Sequence, residues 1–591
     1  MAPAAISSPP ATARAVRSRL LLPWLLLAAV CGLSFFWRLG ANGLWDLDEA
    51  LYTESAREMR LSGDYVTPRV NAEPFFEKPP LIYWEASALF AVMGRSELAA
   101  RLPSALASTA LTAILFLVGS RYFGRRAGFA AALFFALSPL VFGASRQLTT
   151  DATLDLCVAS ALLCLFAILE RRPQIPNTQH PTQFPLFFWV CCALGVLAKG
   201  LPGILIPGLV GLLYMGFSER WRWREMLRAV GRLRPAFGVI VFAAIAVPWH
   251  VLAWIQSGEA FVHEYVVVQH LARFRGGDTA HKAPFWFFVP GLLAGFFPLS
   301  VYLPAALLAR SRPREGEATH EPADRLRLLL KVWAVTVFVM FSASGSKLIS
   351  YILPMYPAAA LLVGDWCSRA IEGERGLRTL RRGSLLLVGL AASILCVLFF
   401  RGPIIAFAES LSHRPVRLDD VPPGAFEWAA HIFGALTVAT VCFAILLHLR
   451  RPKAAFGALA AGMALFFGIA VFEGLPLLND SLVAPLQDAA AMAGRRALEL
   501  RAPLSLYIGP PRRPSALFYL PDALVKPPGV AELMDPKDSH ANIDAWLATN
   551  PLAVIVTDSD RAAYLVEHSG GRVLLERGKW TVLERDNRPR N

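Results

Sequence analysis

The chain has 591 residues, of which 55% are hydrophobic and only 17% are charged. Soluble globular domains carry roughly 25% charged residues, so this composition excludes an ordinary soluble protein and predicts a polytopic membrane protein. The net charge is +14, but the basic residues cluster in alternate loops, which is the positive-inside pattern of membrane proteins. The basic charge therefore indicates orientation in a membrane and argues against nucleic acid as a partner.

Apolar segments long enough to cross a bilayer core, about 20 residues each, recur along most of the chain and predict about thirteen transmembrane helices. They lie near residues 19–38, 98–120, 127–145, 151–170, 184–199, 201–217, 235–255, 284–309, 328–345, 348–364, 383–400, 428–448 and 455–473. A cytoplasmic N-terminus places every basic cluster on the cytoplasmic side. An odd number of helices then places the C-terminal region on the opposite side.

The first extramembrane loop, residues 39–97, is rich in charged side chains. Asp48 and Glu49 follow the first apolar segment closely, and residues 49–61 predict a short amphipathic helix. Residues 81–93 are apolar but too short to span a bilayer, so we expect them to lie in its interface. Ionisable groups close to a bilayer are costly to place and often mark functional sites. This loop therefore predicts a site.

The end of the chain has a different pattern and predicts a second domain at 475–591, after a transmembrane domain at 1–474. Its predicted strands are 504–509, 552–557, 573–576 and 580–583, and its predicted helices are 541–549 and 560–568. Strands that alternate with helices predict a small α/β domain, which we place outside the membrane on the periplasmic side.

Several short motifs follow one another between residues 40 and 360. They are Leu-Trp-Asp-Leu-Asp-Glu-Ala-Leu-Tyr at 44–52, Phe-Glu-Lys-Pro-Pro at 76–80, Ala-Lys-Gly at 198–200, His-Leu-Ala-Arg-Phe at 270–274 and Ser-Lys-Leu-Ile-Ser-Tyr at 346–351. In this order they resemble the aminoarabinose transferase family, which belongs with the protein mannosyltransferases to the GT-C class of integral-membrane glycosyltransferases. The resemblance implies a GT-C-like fold in a bacterial inner membrane. It also implies transfer of a sugar from a polyprenyl-phosphate donor to a lipid A-like glycolipid, another glycan or a protein at the periplasmic face.

A polyprenyl-phosphate donor keeps its tail in lipid and its phosphate at the interface, where the protein must supply cations. The candidate phosphate-binding cations are Arg57, Lys78, Lys199, Arg273 and Lys347. Arginine suits bidentate phosphate contact, whereas lysine acts as a point charge, and either stabilises a phosphate leaving group. Tyr351 is either a further phosphate contact or a core tyrosine.

Asp48 matches the acidic position of the family motif and is the candidate catalytic carboxylate. It would accept the acceptor's proton or hold the nucleophile for a displacement with inversion. If the acceptor group is a phosphate, no proton has to be removed, and Asp48 orients the reactants and balances charge. Glu49 is either a second catalytic partner or an acid that stabilises the helix dipole. We expect Asp151 to pair with Lys199 or Lys347, because an unpaired charge there is costly.

Glu77 and His270 are the candidate ligands of a divalent metal ion, which the resemblance implies. No cluster of histidines and carboxylates in the sequence supports a metal independently. Phe75 and Gln269 depart from the residues typical of family members that act on lipid A, so the sequence leaves the sugar and the acceptor open.

A membrane transporter or flippase for lipid-linked substrates is the alternative function. Transporters place ionisable and helix-breaking residues near the middle of the bilayer, in two related halves of the chain. The ionisable residues of this chain instead concentrate at one membrane face, and the sequence has no visible half-repeat, which favours the enzyme.

Overall fold

A computed structural model gives the architecture of the chain. It describes residues 11–170, 183–272, 282–309, 322–400, 402, 422–509, 512–526, 529–535 and 539–588. Arg273, one of the predicted phosphate-binding residues, lies outside the described residues. A large helical bundle is followed by a smaller domain built on a five-stranded sheet.

Every predicted apolar segment coincides with helical structure. The first helices are α1 Ala11–Cys31, α2 Asp48–Ser62, α3 Leu81–Met93, α4 Glu97–Phe123, α5 Arg125–Ala136, α6 Pro139–Ser145, α7 Thr150–Glu170, α8 Gln183–Lys199, α9 Pro202–Ser218, α10 Trp223–Arg232 and α11 Pro235–Phe261. They are followed by α12 Phe288–Gly295, α13 Leu303–Leu308, α14 Pro322–Ala343, α15 Tyr356–Ala370, α16 Glu374–Phe399, α17 Ala425–His448, α18 Pro452–Ile469, α19 Leu475–Leu478 and α20 Ala484–Leu500. Short 3-10 or π turns extend several of them.

Among the described residues, seven helices are long and apolar enough to cross a membrane by length and composition. The number rises to nine if each of two bent helix pairs is one crossing. Three other predicted crossings are shorter apolar helices, at Leu21–Phe36, Gln183–Lys199 and Pro202–Ser218. The chain is therefore a multi-pass membrane protein in which the predicted segments are helical, but some helices are shorter than the prediction assumed.

The bundle packs around one core that extends from α1 to α18. Small residues let helix backbones approach closely within it. Where α4 crosses α5, a Cβ atom placed on Gly128 would lie 2.3 Å from the backbone nitrogen of Ser120. Only glycine permits that contact, so the sequence sets the distance between these two helices.

The first extramembrane loop folds into α2, a short hairpin of β1 Arg69–Val70 and β2 Glu73–Pro74, and α3. Helix α2 matches the predicted helix, and Gly63 ends it with a left-handed φ of 72°. The helix has no solvated face of the kind that the amphipathic pattern predicted, because ten of its 15 residues are buried. Part of the chain therefore covers α2 on the side that the sequence assigned to water.

The covering part is the C-terminal domain. Its strands are β3 Leu504–Tyr507, β4 Ala531–Leu533, β5 Leu552–Asp558, β6 Arg572–Arg577 and β7 Trp580–Asp586, and its helices are α21 Ser515–Tyr519, α22 Asp522–Val525, α23 Ala541–Thr549 and α24 Ser559–Ser569. The strand order is β4-β3-β5-β7-β6. Strand β3 is parallel to β4 and β5, whereas β7 is antiparallel to β5 and β6. The four strands predicted from sequence are present, and β4, with three residues, is too short to have been recognised.

The boundary predicted at 474 falls inside a helical run that extends without a gap from Pro452 to Leu500. The last part of this run, α20, buries Leu486 and Ala490 in the core of the C-terminal domain. A continuous helical segment, and not a flexible linker, thus joins the transmembrane bundle to the C-terminal domain.

Hydrogen bonds fix the C-terminal domain to the first loop. The side-chain amide of Asn71 donates to the carbonyl of Val530 at 2.7 Å and accepts from its backbone N–H at 2.8 Å. Tyr519 accepts from the backbone N–H of Leu44 at 2.8 Å and donates to Glu97 at 3.1 Å. The two parts therefore form one structural unit around α2.

The orientation of this unit can be tested with single cysteines in a background where the exposed Cys396 and Cys442 are replaced by serine. We expect a membrane-impermeant thiol reagent to label Ser62→Cys and Ala541→Cys from the periplasmic side and to leave Gly373→Cys unlabelled in intact cells. The reason is that the cluster of arginines around residue 373 resists translocation. Labelling of positions 62 and 541 from opposite sides would contradict the structure and the topology together.

Candidate active site

A cavity of about 550 Å³ lies between the first loop and the ends of several membrane helices. One set of lining residues is polar and comprises Glu77, Lys78, Lys199, Gln269, His270, Ser344, Ser346 and Tyr351. The other set is apolar and comprises Pro79, Leu201, Pro202, Leu205, Leu271, Met340 and Phe341. The structure thus brings together residues from four of the five motifs that the sequence proposed for one site, and the 44–52 motif does not line this cavity.

An aromatic cluster holds the Glu77–Lys78 segment at this cavity. Phe76, the preceding residue, is buried and packs edge-to-face on Phe261 with ring centroids 5.1 Å apart. The indole N–H of Trp249 donates to the carbonyl of Val66 at 2.9 Å and ties the same loop to α11. The loop is therefore anchored on the membrane helices next to its charged residues.

Both lysines that line the cavity are paired with carboxylates. Lys78 Nζ lies 2.8 Å from Glu77 Oε1. Lys199 Nζ forms an ion pair with Asp151 and lies 4.9 Å from the centroid of the Tyr351 ring. The prediction that Asp151 pairs with Lys199 or Lys347 is confirmed for Lys199. These pairs keep two cations at the cavity without leaving their charges uncompensated.

Lys347 is a buried lysine that does not pair with a carboxylate of the described residues. It is 6% exposed, and its ammonium donates to the backbone carbonyl of Ser344 at 2.5 Å. No carboxylate in the described parts of the chain lies within ion-pair distance of it. Because Ser344 and Ser346 line the cavity, an uncompensated positive charge sits directly behind that wall.

Asp48, the first residue of α2, is an acid without a partner, in contrast to the unpaired cation of Lys347. Its carboxylate has no hydrogen-bond or ion-pair partner within the residues that the structure covers. The side chain stays accessible to water, but protein surrounds it on most sides, and this desolvation raises its pKa above the ordinary value. Glu77 and Asp151 raise the pKa further, whereas Lys78 and Lys199 lower it. Asp48 is therefore an unengaged acid whose electrostatic neighbours belong to the cavity.

Glu77 and His270, the predicted metal ligands, line the same cavity. The Nδ1 atom of His270 lies 2.6 Å from the carbonyl of Tyr265, and its Nε2 atom would lie 2.4 Å from a Cβ atom on Gly200. Glycine at position 200 is thus required for the position of the imidazole. No group of three or more His, Cys, Asp and Glu side chains suited to a metal occurs among the described residues. Two ligands do not complete a metal site, so we assign no step to a metal ion.

Arg57, a predicted phosphate-binding residue, does not line this cavity and instead joins the first loop to the C-terminal domain. Its guanidinium is 3% exposed and pairs with Glu54 at 3.2 Å and Asp522 at 2.8 Å. It also donates to the carbonyls of Leu517 and Leu520 at 2.7 and 2.9 Å. These contacts occupy the donors that a phosphate would need.

Glu49, the second predicted catalytic residue, does not line the cavity either, and its carboxylate pairs with Arg101. Arg101 donates to Glu49 at 2.7 and 2.9 Å and to the carbonyls of Leu39, Asn42 and Gly43 at 2.7 to 2.9 Å. Glu49 also accepts from the backbone N–H of Leu148 at 3.2 Å. The pair therefore fixes the turn from which Asp48 projects.

The sequence interpretation missed Arg101, although a signal was present. It lies near the start of an apolar helix, where an arginine is costly unless it is paired. The sequence also indicates no role for Asp46. In the structure it accepts from the backbone N–H and the hydroxyl of Ser515 at 2.9 and 2.8 Å, a contact that no local pattern reveals.

Comparisons with known proteins agree with this architecture. Residues 77–251 match the dolichyl-phosphate-mannose-protein mannosyltransferase family. An undecaprenyl phosphate-alpha-4-amino-4-deoxy-L-arabinose arabinosyl transferase of Edwardsiella ictaluri is 30% identical over 461 residues, which is 76% of either chain. An enzyme of the same name from Pseudomonas paraeruginosa is 32% identical over 383 residues, or 64% of this chain and 65% of that one.

Two solved structures share the fold. ArnT of Cupriavidus metallidurans, crystallised with undecaprenyl phosphate, superimposes with a TM-score of 0.73 at 24% identity and covers 96% of this chain and 98% of its own. The oligosaccharyltransferase of Archaeoglobus fulgidus superimposes with a TM-score of 0.52 at 12% identity, over 91% of this chain and 69% of its own. The chain thus shares its overall fold with these two proteins.

The contrast between Glu49 and Asp48 gives a prediction for purified protein in detergent. Glu49→Gln leaves the Arg101 charge buried without a counter-charge, which costs about 3–5 kcal/mol of folding stability. We expect a lower Tm together with a lower kcat.

The matched variant is Asp48→Asn, which removes a charge that no neighbour binds. We expect it to lower kcat without lowering Tm. Equal thermal stability of wild type and Glu49→Gln would contradict the positioning role of the Glu49–Arg101 pair.

Proposed function

The chain belongs to the undecaprenyl-phosphate aminoarabinose transferase family of membrane glycosyltransferases, and from this premise we propose how its cavity carries out the transfer. The protein is a glycosyltransferase that uses a sugar donor linked to a lipid phosphate. We propose that the donor phosphate binds at the polar end of the 550 Å³ cavity, and that Asp48 faces the sugar. The observation that carries the proposal is the unpartnered Asp48 carboxylate beside two lysines that are each paired with an acid.

The shape of the cavity suits a polyprenyl phosphate. Leu205, Met340 and Phe341 provide an apolar wall for the isoprenoid chain. Lys78 and Lys199 provide ammonium groups for the phosphate oxygens at the polar end, and the buried charge of Lys347 adds a longer-range attraction. A soluble nucleotide sugar has no apolar chain that could pack against this wall.

The reaction follows from this placement. The acceptor oxygen attacks the anomeric carbon of the sugar while the bond from that carbon to the phosphate oxygen breaks. The released polyprenyl phosphate gains negative charge, which Lys78 and Lys199 stabilise more strongly than in the bound donor. If the acceptor is a hydroxyl, its proton passes to Asp48. If it is a phosphate, Asp48 aligns the sugar and no proton moves.

The surplus of acids supports an amino sugar as the transferred group. Glu77 and Asp151 both act electrostatically on Asp48, and these two acids have lysine partners, whereas Asp48 has none among the described residues. A protonated amine on the sugar would supply the missing positive charge for Asp48. The proposed donor is therefore undecaprenyl-phosphate 4-amino-4-deoxy-L-arabinose, the donor in the names of the relatives, and the proposed acceptor is a phosphate of a lipid A-like glycolipid.

The proposed location of this reaction is the periplasmic face of a bacterial inner membrane, with the N-terminus in the cytoplasm and the C-terminal domain in the periplasm. Membrane lipids surround the bundle, and no observation supports nucleic acid as a partner. The transporter alternative is set aside, because the family relationship identifies a glycosyltransferase.

Replacement of Asp48 by asparagine tests the proposal. We expect Asp48→Asn to lower kcat by roughly 100-fold, because the neutral amide no longer pairs with the cationic sugar and holds it in line less precisely. The affinity for undecaprenyl phosphate, which carries no sugar, should change little. Because the pKa of Asp48 is raised, the wild-type rate should fall as the pH drops through that raised pKa, since the carboxylate becomes protonated.

The residual rate of Asp48→Asn should lack this acidic limb of the pH profile. Transfer can be measured by mass spectrometry of the modified acceptor in proteoliposomes. A variant with a near-normal kcat at normal expression would refute the assignment of Asp48.

Replacement of Lys78 tests the phosphate site. Lys78→Ala removes a charge-assisted contact of about 1.5–3 kcal/mol and should weaken the binding of polyprenyl phosphate roughly tenfold to 100-fold. Lys282→Ala, at a half-exposed lysine before α12, is the control and should bind normally. Unchanged affinity of Lys78→Ala, measured by calorimetry with purified protein, would show that Lys78 does not contact the phosphate.

A further inference from the structure

A second cavity of about 490 Å³ lies where the C-terminal domain meets the first loop and the helical run after α18. Its walls include Trp45 and Asp46 from the loop, Leu482 from the helical run, and Arg513 and Trp580 from the C-terminal domain. None of its lining residues lines the first cavity. It is therefore a separate recess, and the function proposed above does not use it.

The position of this recess relative to Asp48 is informative. Trp45 and Asp46 line it, and the chain then turns into α2, where the backbone N–H of Trp45 donates to Glu49 at 2.9 Å. Asp48 lies in this turn, and the residues that shift its pKa, such as Glu77 and Lys78, line the first cavity. Asp48 lines neither cavity, but it lies two residues from Asp46, which lines the recess, and charged residues of the first cavity act on it electrostatically.

The charged groups in the recess are available to a ligand. Arg513 Nη1 lies 3.8 Å from Asp46 Oδ2, which is too far for a hydrogen bond. Asp46 is instead satisfied by Ser515, from which it accepts at 2.9 and 2.8 Å. Lys579 Nζ lies 5.3 Å from the Trp580 ring centroid and has no carboxylate partner within the described residues. Two cations therefore face the recess with free donors, against one acid that is already bonded.

The remaining surface of the recess is aromatic and apolar. Trp45, which is half-buried, contributes an indole ring whose flat face suits the apolar face of a sugar ring, whereas Trp580 is 4% exposed and forms part of the wall from within the domain core. Leu482, in the helical run after α18, is 51% exposed, so it offers an apolar contact outside the protein core. Cations, an indole and an apolar edge together match a phosphorylated sugar that is attached to acyl chains.

We propose that this recess, formed by the first loop and the C-terminal domain, binds the phosphorylated sugar headgroup of the lipid acceptor. Arg513 and Lys579 bind a phosphate of that headgroup, and the indole of Trp45 contacts a sugar ring. The donor then reaches Asp48 from the first cavity and the acceptor reaches it from the second. This inference rests on the proposed function, and it assigns the C-terminal domain a role in acceptor recognition.

The test uses the full-length protein in proteoliposomes with two acceptors, diphosphorylated lipid A and the same lipid after enzymatic removal of its phosphates. We expect Arg513→Ala and Lys579→Ala each to raise the KM for diphosphorylated lipid A by roughly tenfold, the usual effect of losing one charge-assisted hydrogen bond. The affinity for undecaprenyl phosphate, measured separately, should stay unchanged. Arg513→Lys and Lys579→Arg should restore most of the loss, because they keep the charge.

Arg572→Ala is the matched control, because Arg572 is an exposed cation on β6 of the same domain and does not line the recess. An unchanged KM in the alanine variants, or an equal rise with the dephosphorylated acceptor, would overturn the proposal, since neither result fits phosphate recognition. If the wild type binds undecaprenyl phosphate but transfers sugar only to a protein or a neutral glycan, the acceptor of the proposed function is wrong and the recess assignment falls with it. If the wild type fails to bind the donor, the proposed donor site itself fails, which the separate affinity measurement reveals.

Discussion

One buried guanidinium determines where the chemistry can take place. Arg101, at the start of a membrane helix, binds Glu49 and three backbone carbonyls of the first loop. All of these groups would be unsatisfied if the loop moved, and unsatisfied buried polar groups are costly. The turn that carries Asp48 is therefore held rigidly against the bundle. An acid that must meet two separate substrates benefits from this, because catalysis depends on position to a fraction of an ångström.

The charges around the first cavity are arranged so that binding and reaction need little reorganisation. Lys78 and Lys199 are held by acids before any donor arrives, so their positions are set in advance. Lys347 stays buried without a counter-charge among the described residues, and Asp48 stays without a cation. A donor with an anionic phosphate and a cationic sugar would supply the missing counter-charge for both Lys347 and Asp48. The site thus selects for a particular separation of charge within its ligand.

Much of the fold and part of the site could be predicted from the sequence. Hydrophobic length locates the helices, and Lys78, Lys199 and Tyr351 could be brought together in advance because the predicted topology places all three at the same face of the membrane. The roles of the arginines could not be predicted in this way. Arg57 forms an ion pair with Asp522, which is 465 positions away in the sequence. No local sequence pattern predicts that contact. The C-terminal domain was recognised as α/β, but its docking onto α2 depends on side-chain complementarity that appears only in three dimensions.

The central claim is that the donor phosphate lies at the polar end of the first cavity with Asp48 facing the sugar. A cryo-electron microscopy structure of the protein with undecaprenyl phosphate tests it most directly. We expect phosphate oxygens about 2.7–2.9 Å from the ammonium groups of Lys78 and Lys199 and isoprenoid density along Met340 and Phe341. We also expect the Asp48 carboxylate to remain free of protein partners. Phosphate density beside Arg513 and Lys579 instead, with the first cavity empty, would contradict it.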